Sequence, residues 1–230
     1  MKVVDVMARR VVAVSPDATI RDAIRLMLAH RISGLPVIDD NHRLVGVVSE
    51  GDFLRRAETA TESKRSRWFD AFFGPGESAA AFVHSHGTHV RDVMTRTPVT
   101  IAESAPLEEA VHLMESRNIK RLPVVRRGTV VGIITRANLM RALASMHRGA
   151  RDMSQRDGAI RERILADLAR QSWSSGASVD VLVRKGVADI WGSIGDIAQR
   201  EAIKVLVEGT PGVKRVYDHL TFDGELASVT

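Results

Sequence analysis

Cysteine is absent from the chain, which removes disulfides, thiolate metal sites and a cysteine nucleophile together. Aromatic residues are scarce, 4% of the whole, and half of them, Trp68, Phe69, Phe72, Phe73 and Phe82, crowd into one segment. No run approaches the ~20 apolar residues of a membrane span. The N-terminal MKVVDVMARRVVAV is broken by charges every few residues and lacks the apolar core and small-residue cleavage site of a secretory signal, so a cytoplasmic location is expected. Catalytic signatures are missing as well: there is no G-x-x-x-x-G-K-[ST] loop, no G-x-G-x-x-G after a strand, no H-E-x-x-H and no G-x-S-x-G. The chain is expected not to be an enzyme.

What is present suits a folded protein with more than one core. The 230 residues are 44% hydrophobic and 27% charged, and domains of ~100 to 150 residues imply two of them. The net charge of +5 is unevenly placed. Residues 155–230 hold 10 Lys and Arg against 11 Asp and Glu, whereas residues 1–154 hold 23 against 17. The basic excess therefore lies in the N-terminal two thirds. It forms no continuous Lys/Arg stripe, so a solvated arginine-rich surface or anionic small ligands account for it better than nucleic acid does.

An internal repeat organises that region. Asp5-Val6-Met7 recurs as Asp92-Val93-Met94, Leu26-Met27 as Leu113-Met114, Leu35-Pro36-Val37 as Leu122-Pro123-Val124, and Val45-Gly46 as Val131-Gly132. Each copy reads as β-α-β-β-α. Val11 to Val14 suits a strand, and Ile20, Ala23, Ile24, Met27 and Leu28 stripe one helical face behind a Thr19/Asp22 cap. Leu35 to Ile38 and Leu44 to Ser49 form a hairpin through Asp39-Asp40-Asn41. In the second copy Leu107, Ala110, Val111 and Met114 repeat the stripe, and Arg127-Gly128 makes a tighter turn. A copy of about 50 residues is near the lower limit for an independent core, so the two are expected to pack as a pseudo-symmetric pair.

The D-V-M lead-in, the H-R-I-S-G-L-P-V hinge and the G-V-V-S-E-G-D-F ending resemble the CBS motif, which occurs in tandem pairs called Bateman modules. The resemblance covers about 100 residues and implies an adenine nucleotide as regulatory ligand, with no obligatory cofactor. Ser49-x-x-Asp52 sets a hydroxyl at a strand end and a carboxylate in the next helical turn, which suits phosphate and ribose respectively. A simple helix cap has the same spacing. Thr135 and Asn138 match these positions in the second copy, with Asn138 the weaker acceptor. The resemblance places the adenine in an apolar slot of Met7, Val12, Ile32 and Pro36, repeated as Met94, Val99, Ile119 and Pro123, residues that equally suit ordinary core. Lys120 and Arg121 replace Ser33 and Gly34 and bring two cations to where phosphate contacts fall.

The aromatic segment follows the basic run Lys64-Arg65-x-Arg67 and suits an interface helix, packed back on the pair, across a dimer, or against a partner or membrane. His84, His86 and His89 lack a neighbouring carboxylate or cysteine to complete a metal set. After the polar stretch 147–158, Ile160, Ile164 and Leu168 stripe a helix. Val179, Val181 and Val183 then alternate into a strand that turns at Lys185-Gly186 and returns through Ile194. A helix near Asp196 to Glu208 and a strand through Val213, Val216 and Leu220 complete an αββαβ order. With Gly192 and G-T-P-G-V-K-R-V-Y-D-H-L, this order resembles a BON domain. Asp180, Asp189 and Asp196 are expected to be solvent-facing strand and cap residues.

The fold class is thus α+β: CBS motifs at 1–57 and 92–147, an aromatic and basic linker at 58–91, and a BON domain at 155–228. The expected function is that of a non-catalytic regulatory sensor, a homodimer that binds an adenine nucleotide in the CBS pair and relays its occupancy to the BON domain or to an unidentified protein partner. A nucleic-acid-associated regulator using the basic region, and a peripheral envelope protein using the BON domain and linker, remain alternatives.

Overall fold

The computed structural model describes residues 1–54, 83–84, 86–146, 154–174 and 177–222. The aromatic cluster Trp68 to Phe82 and the run Lys64 to Arg67 lie outside the described residues. The chain divides into two compact units. One comprises Met1–Ala8, Ala102–Leu122 and Ile133–Thr230; the other comprises Arg9–Ile101 and Pro123–Gly132.

The first motif opens on a short helix that the sequence pattern did not announce, α1 (Val3–Val6). α2 (Ile20–His30) starts where predicted, with the Thr19 hydroxyl accepting from the Asp22 N–H at 3.2 Å. The hairpin of β1 (Gly34–Ile38) and β2 (Leu44–Ser49) follows, and then α3 (Glu50–Leu54). Asp39 builds the hairpin turn, its Oδ1 accepting from the N–H groups of Asn41 and Arg43 at 3.0 and 2.8 Å. The predicted strand Val11–Val14 is reduced to one parallel bridge between Val14 and Val37. A four-residue apolar run has no room to pair further once the chain must turn at Pro16.

The second motif repeats the order with α4 (Val90–Val93), β3 (Ile101–Ala102), α5 (Leu107–Ser116), β4 (Arg121–Arg126), β5 (Thr129–Thr135) and α6 (Arg136–Met146). Strands β3, β4 and β5 form a sheet in that order. The short helices are exchanged between motifs. In the Arg9–Ile101 unit, α4 joins the start of α2: Ile20 N–H donates to the Thr88 carbonyl at 3.0 Å, and Val90 N–H to that of Ala18 at 2.9 Å. In the other unit α1 meets the start of α5 through the corresponding pairs, Leu107 to Met1 at 3.1 Å and Val3 to Ala105 at 2.9 Å. Ala23, Met27, Leu35, Val37, Val48, Phe53, Val90 and Val93 share one core. The predicted stripes are only half covered: Ile24, Leu28 and Val111 are exposed.

The C-terminal domain is a helix-backed sheet. α7 (Gln155–Ala169) precedes β6 (Ser178–Arg184) and β7 (Val187–Ile194), which pair as an antiparallel hairpin. Lys185 and Gly186 both have positive φ, 50° and 78°, the requirement of the tight turn that matches strand twist. α8 (Ile197–Glu208) crosses over, and β8 (Arg215–Phe222) then pairs parallel to β7. Ile160, Ile164 and Leu168 pack with Val181, Val183, Ile190, Ile203, Val207 and Leu220 on the helix-covered face. The opposite face carries Asp180, Asp189, Trp191 and His219, as the register of the three strands requires. Among the described residues no helix is long and apolar enough to cross a membrane.

Candidate functional site

In the Arg9–Ile101 unit β2 ends at Ser49, so Ser49 and Asp52 meet across the first turn of α3. Asp52 Oδ2 accepts from the Ser49 N–H at 2.7 Å and from the Ser49 hydroxyl at 2.8 Å. One carboxylate oxygen therefore fixes the strand-to-helix turn while both residues stay partly accessible. The Glu50 N–H donates to the Ser33 carbonyl at 3.2 Å, which ties the start of α3 to the hinge. Pro36 is buried in β1, and its carbonyl accepts from Val14 at 3.1 Å. Val12, Ile32 and Met94 are half-buried against the core of this unit. The Met94 sulfur lies over Gly46, where any side chain would displace it. Val99 is half-buried and Pro123 buried.

The second motif repeats the turn with different chemistry. Asn138 Oδ1 accepts from the Thr135 N–H at 2.9 Å and from its hydroxyl at 2.7 Å. Its amide nitrogen donates to Asp180 Oδ2 of β6 at 3.0 Å. Asn138 is 4% exposed. The Arg136 N–H donates to the Lys120 carbonyl at 3.2 Å, repeating the hinge tie. Lys120 is exposed, and Arg121 and Ile119 are half-buried.

Met7, which ends α1, is fully buried, and its carbonyl accepts from Arg161 Nη2 at 2.8 Å. Arg161 is itself 2% exposed and also donates to the carbonyls of Val181 and Val4 and to Asp180 Oδ1. Sequence reasoning missed this arginine. It adjoins Ile160 on α7, one position off the apolar stripe, where an arginine ordinarily points to water.

Two of the three aspartates expected to face solvent do not. Asp180 accepts from Asn138, Arg141 and Arg161, and its side chain is 19% exposed. Asp189 is buried, with one oxygen 2.9 Å from His219 Nε2. Its charge opposes the fall in the Arg184 pKa that burial causes. The His219 ring stacks on Trp191 at 3.9 Å between centroids. Asp196 caps α8 as expected, accepting from Gln199 at 2.8 Å. Asp180 is covered because its face of the sheet is not an open one: Asn138 and Arg141 of α6 reach it, and α1 lies against β6.

His89 precedes α4, with Nδ1 3.0 Å from the Thr88 hydroxyl. Among the described residues no three His, Asp or Glu side chains converge as a metal ion would require.

The family model of the CBS domain matches residues 3–58 and 90–145, and that of the BON domain residues 156–224. CBS domain-containing protein CBSX2, chloroplastic, of Arabidopsis thaliana is 35% identical over 145 residues, 59% of this chain and 59% of that protein. The uncharacterized protein MJ1426 of Methanocaldococcus jannaschii is 33% identical over 160 residues, 62% of this chain and 91% of that protein. The chain spans 59% and 60% of the lengths of CBSX2 and its Arabidopsis relative CBSX1. A crystal structure of CBSX2 in complex with AMP matches with a TM-score of 0.56 and 36% identity, over 64% of this chain and 98% of that one. With both repeats and the helix-backed C-terminal sheet accounted for in this way, the chain belongs to the CBS-domain proteins, as a tandem CBS pair followed by a BON domain.

Proposed function

We propose that this protein is a non-catalytic regulator whose CBS pair binds an adenine nucleotide of the AMP, ADP or ATP type, and whose BON domain or a protein partner responds to occupancy. The Ser49–Asp52 turn carries the proposal. It holds a carboxylate and a hydroxyl side by side at the end of β2, in a chain 36% identical to a CBS pair crystallised with AMP. In this reading Asp52 accepts from the ribose hydroxyls and keeps the Ser49 N–H, the Ser49 hydroxyl turns from Asp52 to donate to the phosphate, and Val12, Ile32 and Pro36 offer the base an apolar surface. The protein acts as a homodimer in the cytoplasm.

Mass spectrometry of the small molecules that copurify with the native protein, followed by calorimetry with AMP, ADP, ATP and adenosine, tests the ligand class. Micromolar or tighter binding of at least one of the three nucleotides is expected, and no binding of any adenosine compound overturns the proposal. Light scattering tests the assembly, where a mass of 25.2 kDa at micromolar concentration would exclude the dimer.

A further inference from the structure

The two motifs spend their strand-to-helix turns differently. In each, one terminal oxygen of the side chain at the helix start, Asp52 Oδ2 or Asn138 Oδ1, accepts the N–H and hydroxyl of the residue that ends the strand. The cap uses only that oxygen and leaves the second terminal atom, Oδ1 in Asp52 and Nδ2 in Asn138, to other partners. At Asn138 that atom donates to the BON-domain carboxylate of Asp180 at 3.0 Å. We propose that the second motif's T-x-x-N turn is a socket for the BON domain, with Asp180 standing where a nucleotide's ribose hydroxyls would bind, so that BON docking and nucleotide occupancy of this motif exclude one another.

Asparagine is the residue such a socket needs. A carboxylate at position 138 would meet the Asp180 carboxylate, whereas the amide supplies a donor and keeps an oxygen for Thr135. The remaining contacts hold Asp180 in place. Arg141 Nη1, from the same helix as Asn138, lies 3.1 Å from Oδ2, and Arg161 Nη2 lies 3.3 Å from Oδ1, which also accepts from the Val181 N–H at 3.0 Å. Arg161 extends the grip to the carbonyl of Met7 at 2.8 Å. A half-buried carboxylate held by two guanidiniums, an amide and a backbone N–H is a built contact, because a charge drawn away from water needs such partners. The β6 strand thus fills the second motif with protein groups, and the sequence difference between Asp52 and Asn138 follows from it.

This inference rests on the adenine-nucleotide reading of the first motif, and the test separates the two. Calorimetry with AMP on the full chain should give one nucleotide per chain. Asn138→Asp, which repels Asp180 and supplies a ribose acceptor, should raise this to two. Two per chain in the unaltered protein, or one in both proteins, overturns the socket. An arm without nucleotide uses thermal unfolding of Asn138→Asp, Asp180→Asn and the double variant. Asn138→Asp should lower the midpoint, and adding Asp180→Asn should recover part of the loss by exchanging the two partners. Additive effects overturn the socket whatever AMP does. If no variant binds AMP, the proposed function fails and this cycle alone decides the docking contact.

Discussion

Thr95 and Val47 exchange both backbone hydrogen bonds, at 2.9 and 3.0 Å, and Ala8 and Ile133 do the same at 2.9 Å. The residue after each D-V-M lead-in thus pairs with the second hairpin strand of the other motif. The core around β1 and β2 also takes Val90 and Val93 from the second motif's lead-in helix. A single motif therefore lacks both an edge partner and part of its core. Residues 1–57 alone should show no cooperative unfolding by circular dichroism, and residues 1–147 should recover it. A folded 1–57 would mean that the exchange is dispensable.

Much of this was legible in the sequence because local chemistry and periodicity agreed. Thr19, Asp196 and the Lys185-Gly186 turn stand where their residue types predict. The exchange of α1 and α4 was hidden, since repeats reveal equivalence and not which copy pairs with which. Arg161 and Asp180 were hidden for a different reason. A charged residue looks solvent-facing until a second element covers it, and here α6 reaches Asp180 while α1 and Met7 take Arg161. Ser49 and Asp52 were visible as a pair, yet the cap and the ligand contact share the same spacing, so only their geometry shows that one oxygen completes the cap.

Gly192 has φ of 148°, and a Cβ there would fall inside the van der Waals radius of the Ser178 carbonyl across the β6–β7 pair. The backbone approach needs hydrogen at this position. Gly192→Ala should destabilise the BON domain by at least about 2 kcal/mol, from the unfavourable conformation and the clash together. Urea unfolding followed by Trp191 fluorescence measures it, and a change below about 0.5 kcal/mol would show that the strands can separate without cost.

Asp157 ties the start of α7 to the β6–β7 turn. Its Oδ2 accepts from the N–H and hydroxyl of Ser154 at 3.0 and 2.9 Å, and its Oδ1 from the Gly186 N–H at 2.9 Å. Burial acts to raise its pKa, but the backbone N–H of Ser154, that of Gly186, the Ser154 hydroxyl and the backbone N–H of Lys185 together outweigh it and hold the carboxyl below its ordinary value. A lowered native pKa gives stability that is full above the unfolded value of about 3.9 and is lost as pH falls through the native one. Asp157→Asn should cost about 1 to 3 kcal/mol at pH 7, because an amide cannot accept at both ends. The gap to the unaltered protein should narrow as the pH is lowered below about 3.9. Urea midpoints across that range decide it, and a gap independent of pH would remove the charge from the account.

Asp52→Asn converts the first motif's turn into the chemistry of the second. Asn can still take the Ser49 N–H and hydroxyl on one oxygen, so the turn observed at Asn138 shows that the fold tolerates it. What it loses is a charged acceptor for ribose, worth roughly 1.5 to 3 kcal/mol, or about ten-fold or more in affinity. Adenosine and AMP share the ribose, so both should weaken alike. Ser49→Ala should separate them, lowering affinity for AMP while leaving adenosine nearly unchanged, because only AMP carries the phosphate that the hydroxyl would meet. Calorimetry on the two variants measures all four affinities. An unchanged AMP affinity in Asp52→Asn would remove the ribose assignment and leave Asp52 as the cap of α3 alone.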